Sequence, residues 1–330
     1  MNTTSPPSDP ARKWEDIQNQ IQKVRSELSR VIVGQEKVVE GMMVALLCRG
    51  HCLVEGVPGL AKTLLVSTLG RVLGLSFRRI QFTPDLMPSD ILGSEILQET
   101  GEGRRFNFVR GPIFAHLILA DEINRTPPKT QAALLEAMQE KQVTIAGQTL
   151  PLEPPFVVFA TQNPIEHEGT YPLPEAQLDR FFFNLVIGYP TPEEEREVMI
   201  RTSRREWVHV EDVLSRATLL ELQDLIYEIP LPDHVLDAIL KLVQSSRPKE
   251  APADDYVRQY VGWGAGPRAA QCLCSAVRAL ALLRGEKAAS VEEVRDLAHP
   301  VLRHRIIPSY HATGEGVSVD DIIGHLVRAL

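Results

Sequence analysis

Four cysteines in 330 residues are few, and they fall as two local pairs, Cys48 with Cys52 and Cys272 with Cys274, without a Cys-x-x-Cys repeat or a neighbouring histidine pattern. That scarcity excludes a disulfide framework and a structural zinc site, and leaves reduced, buried thiols of a cytoplasmic protein as the expectation. Long apolar runs are missing too. No stretch approaches the roughly eighteen residues that a membrane span needs, and the run at Val44 to Leu47 ends at Arg49. Met1 to Pro10 has no basic residue and no apolar core, so it reads as a loose tail rather than a secretory signal or transit peptide. Positive charge is in deficit: 35 basic against 43 acidic residues give a formal net charge of -8. This is the wrong sign for a protein that grips phosphate backbones over a broad surface, although a local basic channel stays open.

What is present is ordinary for a folded chain, with 44% hydrophobic and 24% charged residues, which excludes wholesale disorder and a coiled-coil rod. The length exceeds one comfortable core, so two domains, or one large α/β domain with an appendage, are expected. Apolar residues at helical spacing predict helices over Trp14 to Leu28 and Gln35 to Cys48. Short β-rich runs at His51 to Glu55, Phe77 to Phe82, Phe114 to Ala120, Phe156 to Thr161 and Phe181 to Ile187 predict buried strands of a parallel α/β sheet. Two interruptions, Glu95 to Phe114 and Lys141 to Leu152, read as projecting β-hairpins. Thr126 before Pro127, and Thr191 with Glu194, are expected helix caps. Beyond the proline-rich link Gly188 to Pro192 the strand signals vanish, while Ser290 with Glu293 and Ser318 with Asp321 head further helices. The expected division is a tail over 1–12, an α/β core over 13–189 and a smaller all-α domain over 190–330.

The chemistry begins at Gly56-Val57-Pro58-Gly59-Leu60-Ala61-Lys62-Thr63, followed by Leu64, a phosphate loop in every fixed position except that Ala61 stands where glycine is usual. Backbone N–H groups at a helix N-terminus point at phosphates, Lys62 adds a mobile cation and the Thr63 hydroxyl ligates Mg²⁺. Ala61 is acceptable there if its torsions are ordinary helical ones. His116 to Glu122 is an apolar strand ending in two carboxylates: Asp121 suits the Mg²⁺ shell and Glu122 suits activation of the attacking water, the two pointing opposite ways as strand neighbours do. Asn163 ends another apolar strand and either reaches the γ-phosphate or forms an Asn-Pro turn. Arg180, beside Asp179, is either a surface ion pair or an arginine finger for a neighbouring subunit's nucleotide. Gly266-Pro267-Arg268 opens a helix whose guanidinium is suited to clamping phosphate.

In order, Val33-Gly34-Gln35, the phosphate loop, Phe82 to Asp90, Asp121 to Arg125, Thr161 to Pro164, Leu173 to Phe181 and Gly266 to Ala269 make the chain resemble the MoxR family of AAA+ ATPases, from about Trp14 to the end. The resemblance implies an α/β ATPase core, a helical lid, a homo-oligomeric ring, usually hexameric, and ATP or ADP with Mg²⁺ at subunit interfaces. It gives Lys62 and Thr63 the Walker A roles, Asp121 and Glu122 those of Walker B, Asn163 sensor 1, Arg180 the finger and Arg268 sensor 2. The two hairpins take the place of the family's helix-2 and pre-sensor-1 insertions. His167 is assigned no chemistry.

The leading expectation is ATP-driven, chaperone-like remodelling of a client protein, commonly in this family one with a von Willebrand factor A domain, to insert a cofactor or mature a complex. Nucleic-acid remodelling through Arg104-Arg105-Phe106 is a weaker alternative because the overall charge is negative. A nucleotide-gated scaffold that hardly hydrolyses is the third, and Glu122 argues against it.

Overall fold

The computed structural model describes residues 10–100, 103–145, 147–166, 169–203 and 208–330. His167, the hairpin-tip positions Gly101, Glu102 and Ala146, and most of the expected tail lie outside them. The first part of the chain runs α1 (Pro10–Val31), α2 (Glu36–Leu47), β1 (Cys52–Glu55), α3 (Lys62–Val72), β2 (Phe77–Gln81), α4 (Pro88–Leu92), β3 (Gly93–Thr100), β4 (Gly103–Arg110), β5 (Leu117–Asp121), α5 (Pro128–Glu140), β6 (Gln142–Ile145), β7 (Gln148–Pro151), β8 (Val157–Gln162), α6 (Glu175–Leu178) and β9 (Phe183–Val186). The rest runs α7 (Pro192–Ser203), α8 (Arg216–Leu225), α9 (Asp233–Ser245), α10 (Asp255–Tyr260), β10 (Val261–Trp263), α11 (Pro267–Arg284), α12 (Val291–Leu302), β11 (Ile307–Pro308), α13 (Tyr310–Glu315) and α14 (Val319–Arg328).

Five strands form one parallel sheet in the order β2-β5-β8-β1-β9. Alternation along each strand sorts its side chains between two cores. Leu117, Leu119, Val157 and Phe159 pack with α1, α2 and α3, whereas Ile118, Ala120, Val158 and Ala160 pack with α5. The first of these cores runs without a break into the helices that follow β9, through Leu280, Val294 and Val301. Both expected hairpins are present as separate two-stranded sheets, β3 with β4 and β6 with β7. The capping boxes at Ser290 and Ser318 form as read, and Thr191 exchanges hydrogen bonds with Glu194.

Three expectations need correction. Thr126 does not cap α5: Pro127 occupies the cap, and the Thr126 hydroxyl donates instead to the Thr83 carbonyl at 2.8 Å. The strand expected over Phe114 to Ala120 begins only at Leu117, because residues 112–115 turn the chain into the sheet. The second region is not wholly helical, since β10 and β11 pair antiparallel. They are too short to show an alternation.

His51 is 7% exposed; its Nδ1 accepts from the Val158 amide at 3.0 Å and its Nε2 donates to the Met138 carbonyl at 3.1 Å. Burial pulls its pKa down to about 4 from 6.5, and burial likewise holds His304 well below the usual range. A histidine kept neutral in the fold lends stability that is complete above its unfolded pKa and is lost as pH falls toward the folded one. We therefore expect His51 alone to remove roughly 3 kcal/mol between about pH 6.5 and pH 4. Urea midpoints that do not move between about pH 7.5 and pH 5 would refute this.

Candidate functional site

Strands β1, β5 and β8 deliver their C-terminal ends to one edge of the sheet, where open α/β sheets form ligand crevices. The phosphate loop leaves β1 at Glu55 and enters α3 at Lys62. Gly56 leaves little room for a side chain, since a Cβ would stand 3.0 Å from the Ile187 carbonyl oxygen and the backbone there would have to give. Gly59 has φ +88° with open space around it. The amides of Gly59, Leu60 and Ala61 find no acceptor among the described residues. An open cradle of unpaired N–H groups at a helix N-terminus fits an anion. Ala61 corrects the sequence reading: its φ of 55° and ψ of 24° are left-handed, not helical. Alanine in that conformation costs about 1 kcal/mol relative to glycine, so the loop holds a modest strain that a glycine at that place of the general phosphate-loop pattern would avoid.

Lys62 is half-buried, and its ammonium donates to the Gly56 carbonyl at 2.5 Å. Burial lowers its pKa, against the opposing pull of Asp121 and Glu122. Those two carboxylates are held differently. Asp121 Oδ1 accepts from the Thr161 hydroxyl at 2.6 Å, and Oδ2 accepts from Arg79 Nη2 at 2.6 Å and Nε at 3.0 Å. Glu122 lies beyond the end of β5 with φ 58° and ψ 50°. Its direction is therefore set by a left-handed turn, pinned by its amide donating to Thr161 Oγ1 at 2.8 Å, and not by strand alternation as expected. Glu122 Oε2 accepts from Gln81 Nε2 at 2.8 Å and from Arg125 Nη1 at 3.0 Å. Arg125 also pairs with Glu166. Asn163 Oδ1 accepts from the Ile165 amide at 3.2 Å, and its Nδ2 lies 3.4 Å from Glu166 Oε2. The Asn-Pro turn and the strand-tip position thus coexist.

For Mg²⁺, the Thr63 hydroxyl and the Asp121 carboxylate each offer a hard oxygen donor, a set that leaves most of the coordination shell to phosphate and water. Asp121 Oδ1 keeps a lone pair beyond its bond to Thr161, so these residues fit the ion.

Arg180 and Arg268 are elsewhere. The Phe182 amide bonds the His51 carbonyl, and Phe183 pairs with Cys52. Arg180 therefore sits at the N-terminal end of the sheet, about 16 Å of strand from the phosphate loop. Its Nη1 reaches the Leu135 carbonyl at 3.4 Å. Arg268 opens α11 as expected and lies 3.6 Å from Asp179. Arg268 thus sits at the Asp179 carboxylate while Arg180 turns to Leu135, and both lie at the end of the sheet away from their own loop.

Sequence reasoning missed the residues that hold these groups. Arg79 and Gln81 share one face of β2, and a charged and a polar residue alternating with buried Ile80 were the available signal. Arg305, with its side chain 2% exposed, bonds Asp179 Oδ1 at 2.8 Å and the Phe181 carbonyl at 2.7 Å. Nothing in the local pattern around Arg303-His304-Arg305 marks the last arginine as buried.

Residues 51–183 match the ATPase family associated with various cellular activities (AAA), and residues 254–326 match the AAA lid domain. The chaperone MoxR1 of Mycobacterium tuberculosis (strain ATCC 25618 / H37Rv) is 45% identical over 304 residues, 92% of this chain and 80% of that protein. The uncharacterized protein YeaC of Bacillus subtilis (strain 168) is 39% identical over 317 residues, 96% of each. A solved structure of a candidate ATPase from Cytophaga hutchinsonii superposes with a TM-score of 0.90 at 42% identity, covering 97% of both chains. With an open phosphate cradle above a parallel sheet, two acids at the end of β5 on the same edge and relatives matched along nearly the whole length, the chain belongs to the MoxR family of AAA+ ATPases.

Proposed function

We propose that this protein hydrolyses ATP with Mg²⁺ in a homo-oligomeric ring, and that the cycle remodels or matures a client protein in the cytoplasm. The observation that carries the reading is that the loop with its unpaired amides, the two carboxylates and Asn163 follow the C-terminal ends of β1, β5 and β8 at one sheet edge, with Lys62 under the electrostatic pull of both Asp121 and Glu122. In this reading the loop amides from Gly59 to Thr63, with Leu64 behind them, bind the phosphates and Lys62 neutralises them. Thr63 and Asp121 would hold the ion, which when bound supplies charge neutralisation to the leaving phosphate. Glu122 takes the proton of the attacking water, and Asn163 orients it. Glu122 is held by Gln81 and Arg125, so it must be released before it can act.

The domain division we favour keeps 13–189 as the ATPase core and 190–330 as the lid. The distance of Arg180 and Arg268 from their own loop supports a neighbour's nucleotide as their target, with six subunits the number the family suggests. A client with a von Willebrand factor A domain, matured by cofactor or metal insertion, is the partner class we favour. Phosphate release that requires both ATP and Mg²⁺ tests the activity, and none from assembled protein would end the proposal. Capture of clients on a Glu122→Gln trap tests the partner.

Arg180→Ala chains and Glu122→Gln chains, each deficient alone, should regain about a quarter of wild-type turnover when mixed equally, because that share of interfaces joins an intact Glu122 to an intact Arg180. A mixture as slow as its components would remove Arg180 from a neighbour-directed role.

A further inference from the structure

Arg79 is a cation bonded to the acidic pair to which the nucleotide reading gives no role. It stands on the edge strand β2, two positions before Gln81, which pairs directly with Asp121 across to β5. The guanidinium puts two N–H groups on a single oxygen, Asp121 Oδ2, at 2.6 and 3.0 Å. Both lone pairs of that oxygen are then used. The same Nη2 donates to Gln81 Oε1 at 2.5 Å. This fixes which end of the Gln81 amide faces Glu122, leaving Nε2 to donate there at 2.8 Å. Arg79 thus touches Asp121 directly and Glu122 through one amide.

The electrostatics give the arrangement a consequence. Asp121 and Glu122 are adjacent acids, and the Asp121 side chain is only 12% exposed, so a counter-charge there matters more than at the surface. Arg79 supplies it when no metal is present. A divalent ion arriving at Asp121 brings positive charge to the same place, and two cations beside one carboxylate repel. The Arg79 side chain is 48% exposed, so it has solvent to withdraw into, whereas Asp121 is fixed by Thr161. When Arg79 withdraws, the Gln81 carbonyl loses its donor, the amide is free to turn, and its hold on Glu122 weakens.

We propose that Arg79 is a positioning residue that acts as a built-in substitute for the metal: it occupies Asp121 in the metal-free protein, competes with Mg²⁺ for it, and couples arrival of the ion to release of Glu122 through Gln81. The proposal rests on the nucleotide-site reading above. It raises the free Mg²⁺ needed to tighten nucleotide binding, and it makes the metal-free site more stable than an Asp121 without its bonded counter-charge would be.

The test uses the full-length chain with a fluorescent ADP, titrated with Mg²⁺ from an EDTA baseline, for wild type, Arg79→Gln and Arg79→Lys. In Arg79→Gln the half-saturating Mg²⁺ should fall about tenfold, the size of effect one charge-assisted pair supplies. Metal-free ADP affinity should stay unchanged, and Arg79→Lys should remain near wild type. The thermal midpoint of metal-free Arg79→Gln should drop, and the gap to wild type should close in Mg²⁺ with ADP. An unchanged Mg²⁺ requirement overturns the proposal. A raised requirement overturns it by making Arg79 a prop that presents Asp121 to the metal. Weaker metal-free ADP binding overturns it by making Arg79 a phosphate contact. If wild type binds no ADP at any Mg²⁺ concentration, the nucleotide site itself falls, a result separable from all of these.

Discussion

Glu122→Gln is expected to lower ATP turnover by about 10²- to 10⁴-fold while leaving nucleotide affinity nearly intact. The substitution keeps the size and planarity of the side chain, and one amide oxygen still accepts from Gln81 and Arg125 as Glu122 Oε2 does. What it removes is the ability to take a proton. The backbone turn at φ 58° is equally strained for either residue, so folding gives no reason for a difference. Phosphate release and fluorescent-ADP titration, measured on the same preparation, separate the two effects. Turnover within about threefold of wild type would place the base elsewhere. It would also revive the nucleotide-gated scaffold, since equally slow native and variant chains are what that reading expects.

Arg305→Ala should destabilise the protein by about 3–5 kcal/mol, because it leaves buried acceptors without their shared donor. Arg305 Nη1 bonds the Val301 carbonyl at 2.5 Å and lies 3.3 Å from the Phe182 carbonyl; Nη2 bonds the Phe181 carbonyl at 2.7 Å, and Nε bonds Asp179 at 2.8 Å. His304 donates to the same Phe181 carbonyl and Arg303 to the Asn184 carbonyl. Three consecutive residues after α12 therefore clamp residues 179–184, the segment that carries Arg180. Arg305→Lys keeps the charge but not the planar fork, so it should recover only part of the loss. Urea denaturation is the direct measurement. A loss below about 1 kcal/mol for Arg305→Ala would mean that the clamp is replaceable by water. Because this clamp is one of the contacts of the later helices with the sheet, the variant should also slow the proposed ATP turnover more than it weakens ADP binding.

The residues expected to handle phosphate were legible because their signals are short in sequence. The phosphate loop needs one strand end, one loop and one helix start, all within Cys52 to Val72. The capping boxes at Ser290 and Ser318 are legible for the same reason, since each closes over three residues. Conformations that depend on surroundings were not. Nothing local says that Ala61 and Glu122 adopt left-handed torsions, because each is imposed by the element that must start or stop there. The β10 and β11 pair escaped because a two- or three-residue strand has no period to detect.

By itself the sequence determined the α/β class with its later helical part and the family, and it supplied the proposal of which side chains meet phosphate, metal and water, since each depends on residues close together in the chain. Only the tertiary structure decided which of them meet. Arg79 finds Asp121 across two strands, Arg268 and Arg305 meet Asp179 at the far end of the sheet, and Arg180 turns to Leu135 at that same end, away from its own loop. Those neighbourhoods follow from strand order and from the packing of the lid helices against β9, and no pattern confined to one segment encodes either.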